Sequence, residues 1–513
     1  MVRSGLSYLG RRNTTITIGL VLAASVAIAM RLYGLTWDAG LMWTPHPDER
    51  AILMKVSGLS MPSLGQFGSL LEANSSPLNP RWFPYGSLPL YLLKVVQGLF
   101  SMVGMETVEL RHVGRGISAL ADVGTVLLVY VLGKRIYGSR EGLLAAALLA
   151  MAVLHIQASH FFTVDTLLGF FTVASLLFLF RVAQEGRAKD SIIAGVFIGL
   201  GLATKASIVP IFIPVIFAHL IYAVHERAVS PEDNWSPWTD ASKGVVVVVA
   251  ASLLVLVVVQ PYTIIDWTGF IRDITEQSEM VQRIRDYPYT RQYIGTTPYW
   301  YQVSQSIVWG LGLPLGLVVW AGALYACVRG MKATYGLVYI ASGIVVPMAI
   351  LVLFNSYVAM AISLLLASIS LALTLKLRTS TTRGAAILLS WVVPYFLLTG
   401  SFEVKFLRYL IPITPVLVLF GAHLLVEIWE RACKFGQLAK VVAGTMCVLC
   451  VMGTAMYAAS YMAVYSSPHT SVRMSQWINN EADKGAVILK EHWEEGLPRL
   501  ENYLVKELPI YDP

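Results

Sequence analysis

Charged residues make up only 13% of this 513-residue sequence, and 56% of it is hydrophobic, whereas an ordinary soluble chain is about one quarter charged. A chain so poor in charge cannot clothe its surface in hydrated groups, which excludes a water-soluble globular protein. Cysteine is also scarce. Cys327, Cys433, Cys447 and Cys450 all lie in or beside apolar runs, so no disulfide framework is expected. Cys447 and Cys450 form a C-x-x-C pair, but a pair inside a lipid-embedded helix has no redox context and reads as packing. Internal repeats and low-complexity stretches are missing, which removes solenoid and linker architectures. The formal net charge is +7, yet the basic residues stand in twos and threes at the ends of apolar segments. That is a topology signal, and nucleic acid is not an expected partner.

Apolar runs fill the chain instead, long enough to cross about 30 Å of hydrocarbon and separated by short polar loops. Backbone groups in lipid must be satisfied internally, so the predicted fold class is an all-α polytopic membrane bundle. Arg3, Arg11 and Arg12 precede the first run and hold the N-terminus inside. Ala27 and Ala29 are spaced like a signal-peptidase site, but an uncleaved first helix is the preferred reading. Residues 33–111 form a long outer loop, in which 49–59 and 88–100 read as helices lying along the interface. Spans follow near 113–133, 141–157, 166–182, 190–203, 206–224, 243–260, 302–327, 334–354, 357–376, 384–400, 408–428 and 440–460. With the first helix they make about thirteen. This threading puts Lys134, Arg135 and Arg140, then Arg181, Arg187 and Lys189, then Arg431, Lys434 and Lys440 on the inner side. Residues 1–460 are one transmembrane domain with outer loops 33–111 and 260–302. Residues 461–513 form a short outer tail, with helices expected at 471–480 and 497–506.

The unusual polar residues collect on the outer side. Asp48 and Glu49, in His46-Pro47-Asp48-Glu49-Arg50, are adjacent carboxylates beside a membrane face. A carboxylate there suits a general base or an anchor for a divalent cation; equally, Pro47, Asp48 and Glu49 suit the first turn of a helix. Asp165, after His160, opens a later helix and has the same two readings. Outer cations are few: Arg81, Lys94, Lys205, Lys405 and Arg408. Lys405 and Arg408 stand three apart at a helix start and so share a face, adequate to hold a lipid phosphate or to snorkel to headgroups. Charges in 260–302 read mainly as a solvated face, beside aromatics able to stack on a sugar. His46 and His160 lie near the acids, but one histidine beside a carboxylate is not a metal site, so metal ligands are unknown.

The Asp48-Glu49 pair, the stretches Asn79-Pro80 and Pro84-Tyr85-Gly86-Ser87-Leu88-Pro89-Leu90-Tyr91, and Thr163-Val164-Asp165 occur in that order. Gly201-Leu202-Ala203-Thr204-Lys205 and Arg408-Tyr409 with Pro412 and Pro415 follow. In these residues the chain resembles the protein O-mannosyltransferase and lipid A aminoarabinose transferase group (family 39), C-type membrane glycosyltransferases that use polyprenyl-phosphate sugars. The resemblance implies a C-type bundle that inverts configuration as it moves a sugar to an acceptor hydroxyl on the extracytoplasmic face of the cell membrane. It implies Asp48 as catalytic base, with Glu49 and Asp165 as further acids, and Arg408 and Lys205 on the carrier phosphate, with Lys405 and Lys94 as further cations. His46, Tyr85, His160 and Tyr409 then line the substrate. The implied partners are a polyprenyl-phosphate-linked sugar, a lipid, glycan or protein acceptor, and membrane lipids; no cofactor is certain and a divalent metal is possible. The His-Pro-Pro motif of the mannosyltransferases reads Pro84-Tyr85-Gly86 here. The rival reading is a secondary transporter or lipid-carrier flippase, disfavoured because the notable charges sit at one surface rather than near the midplane.

Overall fold

The computed structural model describes residues 2–41, 43–105, 108–229, 236–329, 379–491 and 496–509. Helix α1 spans Val2–Leu32. The segment after it carries α2 (Pro47–Gly58) and α3 (Leu88–Met102). Then come α4 (Leu110–Ile136), α5 (Ser139–Ala150), α6 (Val153–Ser159), α7 (Asp165–Glu185), α8 (Ala188–Leu202), α9 (Phe212–Val229) and α10 (Pro237–Val259). A second connecting segment holds α11 (Tyr262–Ile265) and α12 (Trp267–Val281) and leads into α13 (Trp300–Gln305) and α14 (Leu313–Arg329). The described chain resumes in α15 (Ser380–Gly400), α16 (Thr414–Phe435), α17 (Gln437–Met462) and α18 (Thr470–Glu481), and ends in β1 (Val487–Glu491) and β2 (Leu504–Leu508).

Among the described residues, seven helices are long and apolar enough to cross a membrane, or eight if α5 and α6, bent by 57° at their break, make one span. The expected spans 334–354 and 357–376 lie outside the described residues. Helix α3, with 15 residues, reaches only about 22 Å, short of a bilayer core, as its reading as an interfacial helix requires. The run expected at 190–203 is likewise a 15-residue helix, α8. The run expected at 302–327 is interrupted between α13 and α14, where a π-helical turn over Ser306–Gly310 meets Gly312 and Pro314. Helix α7 is central, with 83% of its most apolar window buried, whereas α1, α10 and α17 bury 17%, 11% and 22%. Exposed Val246, Leu253, Leu254 and Val258 on α10 and Val448, Leu449 and Met452 on α17 suit hydrocarbon as solvent.

A charged cluster holds the bent span in place. Arg31, at the end of α1, donates from Nε to Asp122 on α4 at 2.6 Å and from its two Nη atoms to the Ala150 and Leu149 carbonyls at 2.8 and 3.2 Å. Those carbonyls end α5, where Leu149 also accepts from the Ala152 N–H at 3.2 Å, so the guanidinium caps the break. His155 on α6 completes the cluster, its Nδ1 2.6 Å from Asp122. The alanine-rich end of α1 stays within this packing, with Ala27 fully buried.

The tail departs from expectation. Helix α18 forms over Thr470–Glu481, near the expected 471–480, but the helix expected at 497–506 is replaced by β2, paired in parallel with β1. Leu504 and Val505 suit a strand, and Lys490 meets its register partner Glu507 at 2.7 Å. The tail folds back onto the segment after α1: Trp37 packs edge-on against Tyr465 and tilted against His469, with centroids at 5.5 and 4.8 Å.

Candidate active site

Helix α2 begins as its sequence demands. His46 caps it, Nδ1 accepting from the Asp48 N–H at 3.2 Å, Pro47 occupies the first turn, and Asp48 and Glu49 follow. Successive helical residues diverge by about 100°, and here that separates the two carboxylates. Ile52 and Val56 face inward against Leu90, Leu93, Val113 and Phe162. Glu49 lies on that same face and is fully buried, accepting from Arg115 at 2.9 and 2.8 Å, from the Phe162 N–H at 2.9 Å, and from the Thr44 hydroxyl. Arg115 also donates to both Asp38 oxygens at 2.8 and 2.7 Å and to the Leu35 carbonyl at 2.7 Å, which uses all of its N–H groups. Glu49 is thereby a tie between α2, α4 and the loop before α7.

Asp48 turns the other way, into a cavity of about 1440 Å³. Its Oδ2 lies 2.6 Å from Nη1 of Arg408, the two side chains being 20% and 23% exposed. Burial acts to raise the Asp48 carboxyl, but Arg408, with smaller contributions from His46, a Tyr85 hydroxyl hydrogen bond and Lys205, outweighs it and holds its pKa below the usual carboxylate value. Burial also lowers the pKa of His46, against the raising influence of Asp48. Its Nδ1 is an acceptor, so the neutral ring carries its proton on Nε2, 3.4 Å from Arg408 Nη1.

Lys205 enters from the opposite wall. Its Nζ pairs with Asp165, the first residue of α7, at 2.8 Å and sits 5.6 and 5.3 Å from the ring centroids of Tyr85 and Tyr409. Tyr85 is delivered by a backbone clasp: the Gly86 N–H donates to the Thr204 carbonyl at 2.9 Å and the Leu88 N–H to the Ala203 carbonyl at 3.0 Å. The chains approach so closely that a Cβ on residue 86 would lie 1.9 Å from the Ala203 oxygen. Burial raises the pKa of both tyrosines, so their hydroxyls remain protonated donors.

The cavity thus gathers His46, Asp48, Tyr85, Lys205, Arg408 and Tyr409, with Asp165 behind Lys205. Three other residues singled out in the sequence stand outside its lining. Lys94 is on α3; Lys405 is buried, its Nζ donating to the Glu403 carbonyl at 3.0 Å; His160 is buried with nitrogens 2.7 and 2.9 Å from the Ile156 and Tyr33 carbonyls, its ring stacked 3.6 Å from Tyr465. Among the described residues no three His, Cys, Asp or Glu side chains gather to share a metal ion. The donor set does not suit a divalent cation either, since Asp48 and Asp165 each already face a cationic side chain.

Two contributions were not anticipated from the sequence. Asp273 in α12 accepts from the Phe83 N–H at 2.8 Å and Asp266 from Asn79 at 2.9 Å, so part of the charge expected to be solvated instead anchors the segment between α2 and α3. The tail supplies cavity wall through His469, Glu491 and Leu497. The remaining loop charges pair at the surface, as in Arg285 with Glu279 at 2.7 Å and Arg291 with Asp286 at 2.9 Å.

Residues 91–264 match the family model described as dolichyl-phosphate-mannose-protein mannosyltransferase. The Bacillus subtilis (strain 168) protein YkcB, a mannosyltransferase by name, is 32% identical over 87 residues, 17% of this chain and 12% of YkcB. The archaeal oligosaccharyltransferase AglB from Archaeoglobus fulgidus, solved with an inhibitory peptide and a dolichol-phosphate, superposes with a TM-score of 0.54 at 14% identity, over 93% of this chain and 62% of AglB. A second structure of the Archaeoglobus fulgidus oligosaccharyltransferase, tethered to an acceptor peptide, gives 0.54 at 14% identity over 96% of this chain and 64% of that one. The chain therefore spans a small part of its sequence relative and under two thirds of these structural ones. The chain is thus a multi-pass membrane protein whose fold is similar to that of the archaeal oligosaccharyltransferase and whose residues 91–264 match a mannosyltransferase family model.

Proposed function

We propose that this chain is an inverting glycosyltransferase that moves a sugar from a polyprenyl-phosphate carrier to an acceptor hydroxyl at the extracytoplasmic face of the cell membrane. The observation that carries the reading is one cavity holding an ionised carboxylate, Asp48, beside the two cations Arg408 and Lys205. The acceptor oxygen attacks the anomeric carbon and gives its proton to Asp48. The bond from that carbon to the phosphate oxygen breaks, and its electron pair leaves on the phosphate. Arg408, the Nε2–H of His46 and the ammonium of Lys205 stabilise that departing charge. A single displacement inverts configuration.

The basic inner loops support an extracytoplasmic cavity through the positive-inside bias, and the carrier phosphate named with AglB supports a prenyl-phosphate donor. The acceptor class, whether lipid, glycan or protein, is left to experiment. Asp48→Asn should lower transfer by roughly 10²- to 10⁴-fold in a purified assay while the protein stays folded. Near-normal turnover in that variant would remove Asp48 as the base. Comparing glycans and glycolipids of cells with and without the protein identifies sugar and acceptor.

A further inference from the structure

The Asp48–Arg408 contact conflicts with the reaction the cavity is suited to. In an in-line displacement the base and the leaving phosphate flank the sugar on opposite sides. The base must reach the acceptor oxygen, at roughly 3 Å, and that oxygen must stand roughly 3 to 3.5 Å from the anomeric carbon. Asp48 and the phosphate oxygen bonded to that carbon are then at least about 6 to 7 Å apart. Were Nη1 of Arg408 to hold that leaving oxygen at about 2.9 Å while staying 2.6 Å from Asp48, the oxygen would lie at most about 5.5 Å from the carboxylate. The nitrogen that faces Asp48 therefore cannot also hold the leaving oxygen in line unless the pair parts.

Three further features bear on how the pair opens. Nε of Arg408 is buried without a hydrogen-bond partner. Nε2 of His46, which carries the neutral ring's proton while Nδ1 accepts from the Asp48 N–H, lies 3.4 Å from Nη1. The Asp48 carboxylate keeps the Tyr85 hydroxyl and the helix N-terminus when Arg408 departs. Arg408 therefore has unused donor capacity, His46 offers a partner donor for an anion, and Asp48 retains support as a lone carboxylate.

We infer that the Asp48–Arg408 pair is a latch that the carrier phosphate opens: the phosphate takes Arg408, with His46, away from Asp48, and this parting both frees the base and makes the gap that the sugar fills. The inference rests on the carrier-phosphate reading above. Binding is then ordered, donor before acceptor, because an acceptor arriving first meets a base still held by a cation. In that resting state the carboxylate is a weak base, so water in an empty cavity is not activated. Asp48 and the phosphate compete for one guanidinium.

The competition is measurable without turnover, by titrating the purified full-length protein in detergent with farnesyl phosphate. Asp48→Asn should bind it about three- to tenfold more tightly than wild type, with Asp48→Ser as the second variant should the first misfold. The gain should vanish when Arg408→Ala is added, which separates a latch from a general change in field. Glu491→Gln, which removes a cavity charge that no ion pair ties to Arg408, should give a smaller gain than Asp48→Asn. Unchanged or weaker binding by both Asp48 variants overturns the latch, as does a gain that survives in the Arg408→Ala background. Absence of binding by wild type and all variants instead overturns the carrier-phosphate reading, and the latch with it.

Discussion

Replacing Glu49 by glutamine removes one buried negative charge and almost no volume. In the wild-type protein Asp38 and Glu49 share Arg115, with Arg111 3.5 Å from Asp38, so the cluster is neutral overall. The amide oxygen of the introduced glutamine can still accept from the Phe162 N–H, but its NH₂ then faces the Arg115 nitrogen that donated to Glu49 at 2.8 Å. Breaking a buried ion pair by removing one partner costs about 3–5 kcal/mol. Because Asp38 still pairs with Arg115, the lower end, about 3 kcal/mol, applies here; that is roughly a 150-fold shift toward unfolded protein. The assay is thermal unfolding in detergent alongside transfer activity. Glu49→Gln should melt early and lose activity together with its fold, and Glu49→Asp, one methylene short, should fall between it and wild type. A Glu49→Gln protein as stable as wild type but catalytically dead would refute this reasoning and return Glu49 to the chemistry.

The remaining predictions concern the clasp, the bent span and the base. Gly86→Ala should sharply reduce transfer, because its methyl collides with the Ala203 carbonyl and displaces Tyr85; activity equal to wild type would show that the clasp does not position the site. Arg31→Met should lower the melting temperature strongly, since it strands Asp122 and uncaps the Leu149 and Ala150 carbonyls, a loss of about 3–5 kcal/mol. The Asp48 pKa is lowered, so the carboxylate is fully charged at neutral pH, and its share of stability is present above the unfolded carboxylate value and lost as pH falls through the folded one. The acid limb of kcat/KM should therefore lie below the ordinary carboxylate range. The limb of kcat should lie higher, because bound donor removes Arg408 and leaves burial to raise the pKa; coincident limbs would argue against that change.

The apolar runs and the shortness of α3 were legible because hydrocarbon imposes length and internal hydrogen bonding on any chain that crosses it. The start of α2 was legible as well, since His46, Pro47 and the acids satisfy free N–H groups with local chemistry. Less visible was the parting of Asp48 from Glu49. Its signal was present: Glu49, Ile52 and Val56 are spaced three and seven apart and share the inward face. Arg115 and Asp122, charged residues inside an apolar run, likewise announced buried partners without naming them. The partners Asp38 and Arg31 come from a distant segment, and only packing brings them in. The strand pair in the tail escaped because Leu504 to Leu508 is too short for periodicity to separate helix from strand.

The contact of Trp37 with Tyr465 and His469 has a consequence for biosynthesis. The wall that bears Asp48 is translated early, and the wall that bears Glu491 and Leu497 emerges long afterwards, with nearly every membrane crossing inserted in between. A nascent chain halted anywhere short of α18 leaves its cavity open on one side. If that cavity is the transfer site proposed above, a half-made copy is silent until its tail has been translated.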